Sequence, residues 1–358
     1  MTQQWIRQCL LTVSDESTGT TWDVSELRIR FQVTTRVTII EPDTASIRIY
    51  NPSPDTINKL LNMPIVPVGN PVVGQPDTQS QPAFTATGLS RGNAPISNKP
   101  PARVRLQAGY QGNFGVVFQG QLVQVISGRE TPTETCVDIF AADGDAAHKW
   151  GMINATLNAG YTAQDVVDRC MQGLPSLGVK SGGKFPTDTS VTQNAAPRGK
   201  TLFGQVRDTL SDLSKTYRCN WWFEDDQLKF LPLSAYAPGD TVVIDSTSGM
   251  IGRPVQTNYG VSVVTLLNPG IGRGTQVKID NKSVQRQQFQ AGLGTPQKLF
   301  GNVVLAESLD ADGLYKVFKL VHSGDTRGNE WYTTSECISI DPTDLAHAMV
   351  PDASLLTM

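Results

Sequence analysis

Along residues 27–33, apolar Leu27, Ile29, Phe31 and Val33 alternate with polar Arg28, Arg30 and Gln32. A period of two puts the two sets on opposite faces of a strand, the pattern of a half-buried antiparallel sheet. Short strand-like runs recur at 6–13, 45–50, 102–110, 115–127 and 135–141 with turn residues between them. Regular spacing of this kind predicts a sandwich or barrel, and closure would hide the strand edges. After the run at 45–50, Ser53 can cap a short helix with Pro54 in its first turn and Asp55 at its positive end; Ile57, Leu60 and Leu61 form the inner face. Residues 64–101 interrupt the pattern. Prolines at 64, 67, 71, 76, 82, 95, 100 and 101 alternate there with Gly, Ser, Asn and Gln, and the stretch reads as an insertion, either a surface loop or an arm that orders against a neighbouring subunit.

The period changes after Asp143-Gly-Asp145. Residues 161–174 predict a helix capped by Thr162, with Val166, Val167, Cys170, Met171 and Leu174 as its apolar stripe. A second helix is predicted over 201–216 from Leu202, Phe203, Val206, Leu210 and Leu213, with a Gly- and Ser-rich linker at 175–200. Residues 219–223 and 227–231 flank the polar turn Glu224-Asp-Asp226 and predict a hairpin. Trp221 and Trp222 open that hairpin, one expected in the core and the other on an interface face. Strand texture returns at 249–255, 261–267, 276–279, 313–324 and 330–338. The fold class expected is therefore mainly β with a smaller α+β part: a β-barrel over 1–145, an α+β middle domain over 146–245, a second β-barrel over 246–340 and a tail at 341–358.

Composition narrows the function. The 358 residues are enough for two or three domains with cores of their own. At 39% hydrophobic, 18% charged and a net charge of -3, the chain is neither disordered nor built to coat nucleic acid. The apolar patch at 5–11 is too short and interrupted for a signal peptide or a membrane span, so synthesis and retention in a cytoplasm are expected. Cysteines 9, 136, 170, 219 and 337 are scattered without Cys-x-x-Cys pairing and read as reduced, buried apolar residues.

Catalytic chemistry finds no foothold. His148, in a turn region, and His322, after a strand, read as structural, and His347 has no supporting motif. Asp143-Gly-Asp145 and Asp225-Asp226 read as solvated turns rather than calcium ligands. Gly270-Ile-Gly-Arg-Gly274 lacks the spacing and the following helix of a phosphate-binding loop. The expectation is a non-enzymatic protein with no cofactor and no metal.

Two stretches resemble a known family. Strand, strand, Asn51-Pro-Ser-Pro turn and short helix resemble the N-terminal barrel of tail-tube-like phage proteins. The Gly252-Arg-Pro254 segment, the Leu266-Leu-Asn-Pro269 turn and Lys316-Val-Phe-Lys-Leu-Val-His-Ser-Gly-Asp325 resemble the late barrel of baseplate hub proteins of contractile-tailed bacteriophages, the late control protein D-like group. The resemblance implies two tube-like barrels per subunit and a homotrimer whose six barrels adapt the hexameric tail tube to a trimeric central spike. It further implies other baseplate proteins as partners, DNA met only by passage through the lumen, and residence in the virion tail. Alternatives within the tail are a tip enzyme that hydrolyses cell wall and a β-rich carbohydrate-binding component. On this reading Arg28, Arg30 and Gln32 line a channel or meet an adjacent barrel, and with Trp221 and Trp222 they are the candidate interface residues.

Overall fold

A computed structural model describes residues 6–37, 42–66, 100–187, 193–257, 260–280, 284 and 313–339. Most of the predicted insertion, the tail and His347 lie outside the described residues. The first part contains β1 (Arg7–Asp15), β2 (Thr20–Asp23), β3 (Arg28–Arg36), β4 (Thr44–Tyr50), α1 (Pro54–Leu61), β5 (Arg103–Tyr110), β6 (Asn113–Arg129) and β7 (Thr135–Ala142). Its strands pair antiparallel in the order β3-β4-β7-β6-β5-β1-β2. The alternation read from the sequence sets the register: Ile29 faces Ile49, Phe31 faces Ile47 and Val33 faces Ala45, all buried. One core takes side chains from both ends of this strand order, from β1 as well as β3, so the sheet curls around it. Helix α1 covers one opening with Leu60, and its first turn is held by Ser53 Oγ accepting from the Thr56 N–H at 3.2 Å.

The insertion leaves and re-enters the sheet at one place. The Ala102 N–H donates to Pro64 O at 2.7 Å, and the Val66 N–H donates to Leu122 O at 2.8 Å. Extra chain can therefore be added there without separating the strands on either side.

The middle part comprises α2 (Asp145–Trp150), β8 (Met152–Leu157), α3 (Ala163–Met171), β9 (Ser181–Gly182), β10 (Lys200–Gln205), α4 (Val206–Tyr217), β11 (Cys219–Glu224) and β12 (Gln227–Pro232). Thr162 caps α3 as expected, and Asp165 reciprocates by accepting from the Thr162 N–H. The second helix starts at Val206 and not at 201, because residues 200–205 pair with β8 as strand β10. Gly204, at φ +128°, adopts a conformation that no helix contains, and Phe203 turns outward instead of joining the core. Part of the predicted linker is also ordered, since Ser181 and Gly182 add a short parallel strand to β12.

The last part comprises β13 (Val242–Ile244), β14 (Met250–Thr257), β15 (Gly260–Leu266), β16 (Gln276–Ile279), β17 (Leu314–Asp325) and β18 (Trp331–Ile338). Strands β14-β15-β18-β17 pair in that order, and β17 then pairs antiparallel with β3, from Lys319↔Arg36 to Asp325↔Arg30. Among the described residues the two β regions thus form one continuous 13-stranded sheet, in which β16 also pairs with β17 and β13 pairs with β16. The chain is mainly β, and among the described residues helices are confined to α1 and the middle part. A second core lies in the middle part, a third among β13 and β15–β18, and Leu267 and Trp331 from the last part reach across into the first core.

Candidate functional site

Strand β3 has β4 on one side and β17 on the other, so its polar side chains stand over a seam. Arg28 grips Asp325 with two hydrogen bonds, Nε to Oδ1 at 3.2 Å and Nη2 to Oδ2 at 2.7 Å, and its guanidinium lies 4.4 Å from the Tyr50 ring centre. These hydrogen bonds hold the Asp325 carboxyl below the usual carboxylate range, helped by the backbone N–H groups of Arg327 and Gly328. Arg30 pairs with Glu330 at 3.4 Å. Arg7 donates to Gly328 O at 2.6 Å and sits over the Trp331 ring. Arginines of the first β region therefore clamp the β17–β18 hairpin of the last.

Below that clamp, Trp331 is fully buried and meets Phe31 edge to face, ring centres 5.5 Å apart. Gly324 makes room for them, since a Cβ there would stand 2.5 Å from the Phe31 ring and 2.8 Å from Trp331. Sequence reading did not single out Trp331. The signal available was an isolated tryptophan two residues after a Gly-Asn turn, which alternation alone assigns to either face.

The polar face of β3 is thus an interface, but one whose partner is the same chain. Arg28 and Arg30 meet Asp325 and Glu330, while Gln32 stays exposed. A double change Arg28→Glu, Arg30→Glu is expected to loosen the seam in the isolated chain. It sets like charges against Asp325, whose side chain is only 8% exposed, and the cost should be about 2–3 kcal/mol. A urea unfolding midpoint equal to the parent's would show that the clamp contributes nothing.

The middle part is bolted to both β regions by buried polar groups. Gln121 accepts from the Ala146 N–H at 3.0 Å and donates to Leu177 O at 2.9 Å. Arg103 pairs with Asp226 and Glu16 and donates to Gly178 O at 3.3 Å. Lys316 donates to Pro232 O and Leu233 O at 3.2 and 3.3 Å, and burial pushes its amine down to about 8.

The largest such cluster joins all three parts. Arg273, in the turn after β15, pairs with Asp43 just before β4 and lies 5.1 Å from the Trp222 ring centre. Asp143 accepts from the Asp225 N–H at 3.1 Å, and Trp222 Nε1 donates to Glu224 at 2.9 Å. Burial pushes Asp43 up to about 7; burial, and then the neighbouring Asp43, push Asp143 up to about 8.

Several expectations are corrected here. Asp143 and Asp145 are buried, not solvated, because the turn carrying them is covered by the β11–β12 hairpin and α2. The Asp225-Asp226 tip has both residues at positive φ, as a tight hairpin turn requires, yet it docks on Arg103 rather than facing water alone. Trp221 and Trp222 are 1% and 8% exposed, so neither offers a face to another subunit. Trp221 enters the middle core, while Trp222 turns inward because Val37, Leu231 and Arg273 close over it.

His148 belongs to α2 and stacks on Trp221 at 6.1 Å, and His322 lies inside β17 with Nδ1 2.8 Å from Thr333 Oγ1. Burial pushes His322 down to about 4, which keeps it neutral at ordinary pH. The cysteines among the described residues are free thiols, four buried and Cys9 half-buried. No group of three metal-ligating side chains occurs among the described residues, and no helix there is long and apolar enough to cross a membrane.

Comparison with known proteins agrees with this picture of a β-rich scaffold. The 43 kDa tail protein of prophage MuSo2 from Shewanella oneidensis superposes with a TM-score of 0.53 at 10% identity, over 95% of this chain and 99% of that one. A tail protein from Neisseria meningitidis MC58 gives 0.51 at 9% identity, over 93% and 97%. The E. coli c3393 protein, described as a type VI secretion component with structural similarity to the T4 tail proteins gp27 and gp5, gives 0.50 at 9% identity, over 88% and 74%. At these identities the likeness is one of fold. No curated protein sequence matches the chain significantly. The sequence model of the baseplate hub gp41 family matches residues 83–284, more than half of the chain and across the whole middle part. The chain belongs to the baseplate hub gp41 family and is a structural component of the phage tail.

Proposed function

We propose that this hub subunit assembles as a homotrimer that adapts a hexameric tail tube to a trimeric central spike, without enzymatic activity. The observation that carries the reading is the β3–β17 seam. Each chain supplies two β regions, each with a core of its own, joined edge to edge in one sheet. Three such chains around an axis present six β regions to a sixfold ring and threefold symmetry to the other side. In this reading residues 1–145 and 246–340 are the two barrels, and 146–245 broadens contact with neighbouring subunits or other baseplate proteins. Gln32 and Arg30, both exposed beside the seam, are the parts of the β3 polar face that a second subunit can reach. The net charge of -3 favours a lumen through which DNA slides without sticking.

Light scattering coupled to size exclusion is expected to give three times the chain mass, alone or once a spike protein is added. A monomer in both conditions overturns the trimer. Incubation with cell-wall material is expected to show no clearing, and clearing would restore the hydrolase alternative.

A further inference from the structure

The last β region repeats the first, strand by strand. The order β3-β4-β7-β6-β5 in one is matched by β14-β15-β18-β17-β16 in the other, and each of these pairings is antiparallel. The registers coincide as well. Thr34↔Thr44, Tyr50↔Cys136 and Arg103↔Gln121 in the first region correspond to Thr257↔Gly260, Leu266↔Tyr332 and Gln276↔Lys316 in the last. Each region has an extra residue at the same point of its longest strand, Val123 between Leu122 and Gln124 in β6 and Phe318 between Val317 and Lys319 in β17. The Leu122 N–H donates to Ala102 O at 2.7 Å, and the Val317 N–H donates to Thr275 O at 3.0 Å. Gln121 and Lys316, one residue before these, are buried polar side chains that each reach into the middle part.

In this matching β17 holds the place of β6, and β3 holds the place of β14. The half of β17 before its extra residue pairs with β16, and the half after it pairs with β3 to form the seam. The first half of β6 pairs with β5, whereas residues 123–129 face no strand on the side away from β7 among the described residues. Strand β14 ends the large sheet and pairs there with β15 alone. Ile126 is 44% exposed, and a Cβ on Gly128 would meet nothing within 4 Å, so this side of β6 is open. Open edges occur on β2, β8, β10 and β11 too. What sets β6 and β14 apart is that they hold the places of the two strands that already pair in the seam.

We propose that the seam is repeated between copies of the chain, with β6 of one subunit pairing antiparallel with β14 of the next. The seam pairs Val321↔Thr34, His322↔Val33 and Ser323↔Gln32. Carried over to the matching residues, this register is Ile126↔Thr257, Ser127↔Gln256 and Gly128↔Val255. Pro254 then ends the stretch, because proline has no N–H to donate. The contact is head to tail, so it closes into a ring once the rotation from copy to copy completes a turn. The inference rests on the trimer reading and deepens it by naming the strands that join.

The test uses the full chain carrying Ile126→Cys and Thr257→Cys. Directly opposite residues on one face of an antiparallel pair stand about 4.5–5.5 Å apart at Cβ, close enough for mild oxidation to join them after a small adjustment. Non-reducing gels should show covalent dimers and trimers, and a mixture of the two single variants should give dimers only. Ser127→Cys with Thr257→Cys puts the thiols on opposite faces and should cross-link at least about tenfold less. Light scattering on the same samples, with and without a spike protein, separates the two readings. Trimers that do not cross-link, or that cross-link equally well in the shifted pair, overturn this pairing and leave the trimer standing. Monomers in both conditions without a cross-link overturn both. Cross-linking of Ile126→Cys to itself overturns the pairing in favour of β6 against β6, and a bond closed within one chain also overturns it.

Discussion

Trp331→Ala is expected to destabilise the chain by about 3–5 kcal/mol, the range for truncating a fully buried tryptophan. The side chain comes from the last β region but sits in the core of the first, against Phe31 and beside Leu266 and Leu267. Truncation therefore opens a cavity where the last region packs into the core of the first. The clamp of Arg7, Arg28 and Arg30 above it depends on the same hairpin being seated. Far-UV and near-UV circular dichroism during urea unfolding should show both signals shifting together, with Trp331→Phe recovering most of the loss. A shift below about 1 kcal/mol, or a separate early transition of the last region only, would mean that the seam is held by the β3–β17 backbone pairing alone.

The second large effect is a pH dependence of inverted sign. Ordinary paired carboxylates such as Asp325 have a lowered pKa, so their stabilisation is lost as pH falls. Asp43 and Asp143 are pushed the other way, to about 7 and about 8 from 3.8. The folded chain holds their protons across a window where the unfolded chain has released them. Their contribution is therefore fully present below about pH 4 and lost as pH rises toward 8. Around them stand Arg273, Glu224 with its partner Lys229, Asp225, and the Arg36 N–H, which donates to Asp43. One guanidinium faces several carboxylates, and burial keeps water from making up the difference.

Asp143→Asn keeps the acceptor for the Asp225 N–H and removes the ionisation. Its stability relative to the parent should rise between pH 5 and pH 8 by at least about 1.4 kcal/mol, the equivalent of one pKa unit. Urea midpoints of the two proteins at both pH values check this. Parallel pH profiles would mean that Asp143 ionises in the native state like an exposed carboxyl.

Local patterns carried much of the fold. Alternation at 27–33 and 45–50 fixed which side chains of β3 and β4 point into the core, since a strand has only two faces. Ser53 and Thr162 marked helix starts, because a cap acts on the backbone within three residues of itself. The pattern failed where a neighbouring strand competed with helix propensity. Leu202 and Phe203 fit a helical stripe with Val206, yet β8 lies alongside and Gly204 breaks the helix. The turn that looked solvated at Asp143 was buried by the hairpin about 80 residues away in the chain, which it meets through the Asp225 N–H, and no short window of sequence contains both.

The sequence by itself determined a β-rich chain with a small helical middle, a polar face on β3, buried reduced cysteines and a resemblance to baseplate hubs, because each depends on residue type and short spacing. Only the tertiary structure decided that β3 meets β17, that Trp331 crosses into the first core, that Trp222 turns inward and that Arg273 is set among buried carboxylates. These contacts join residues more than 200 positions apart or turn on which of two faces the packing leaves open, and a period of two is the same whichever partner lies alongside.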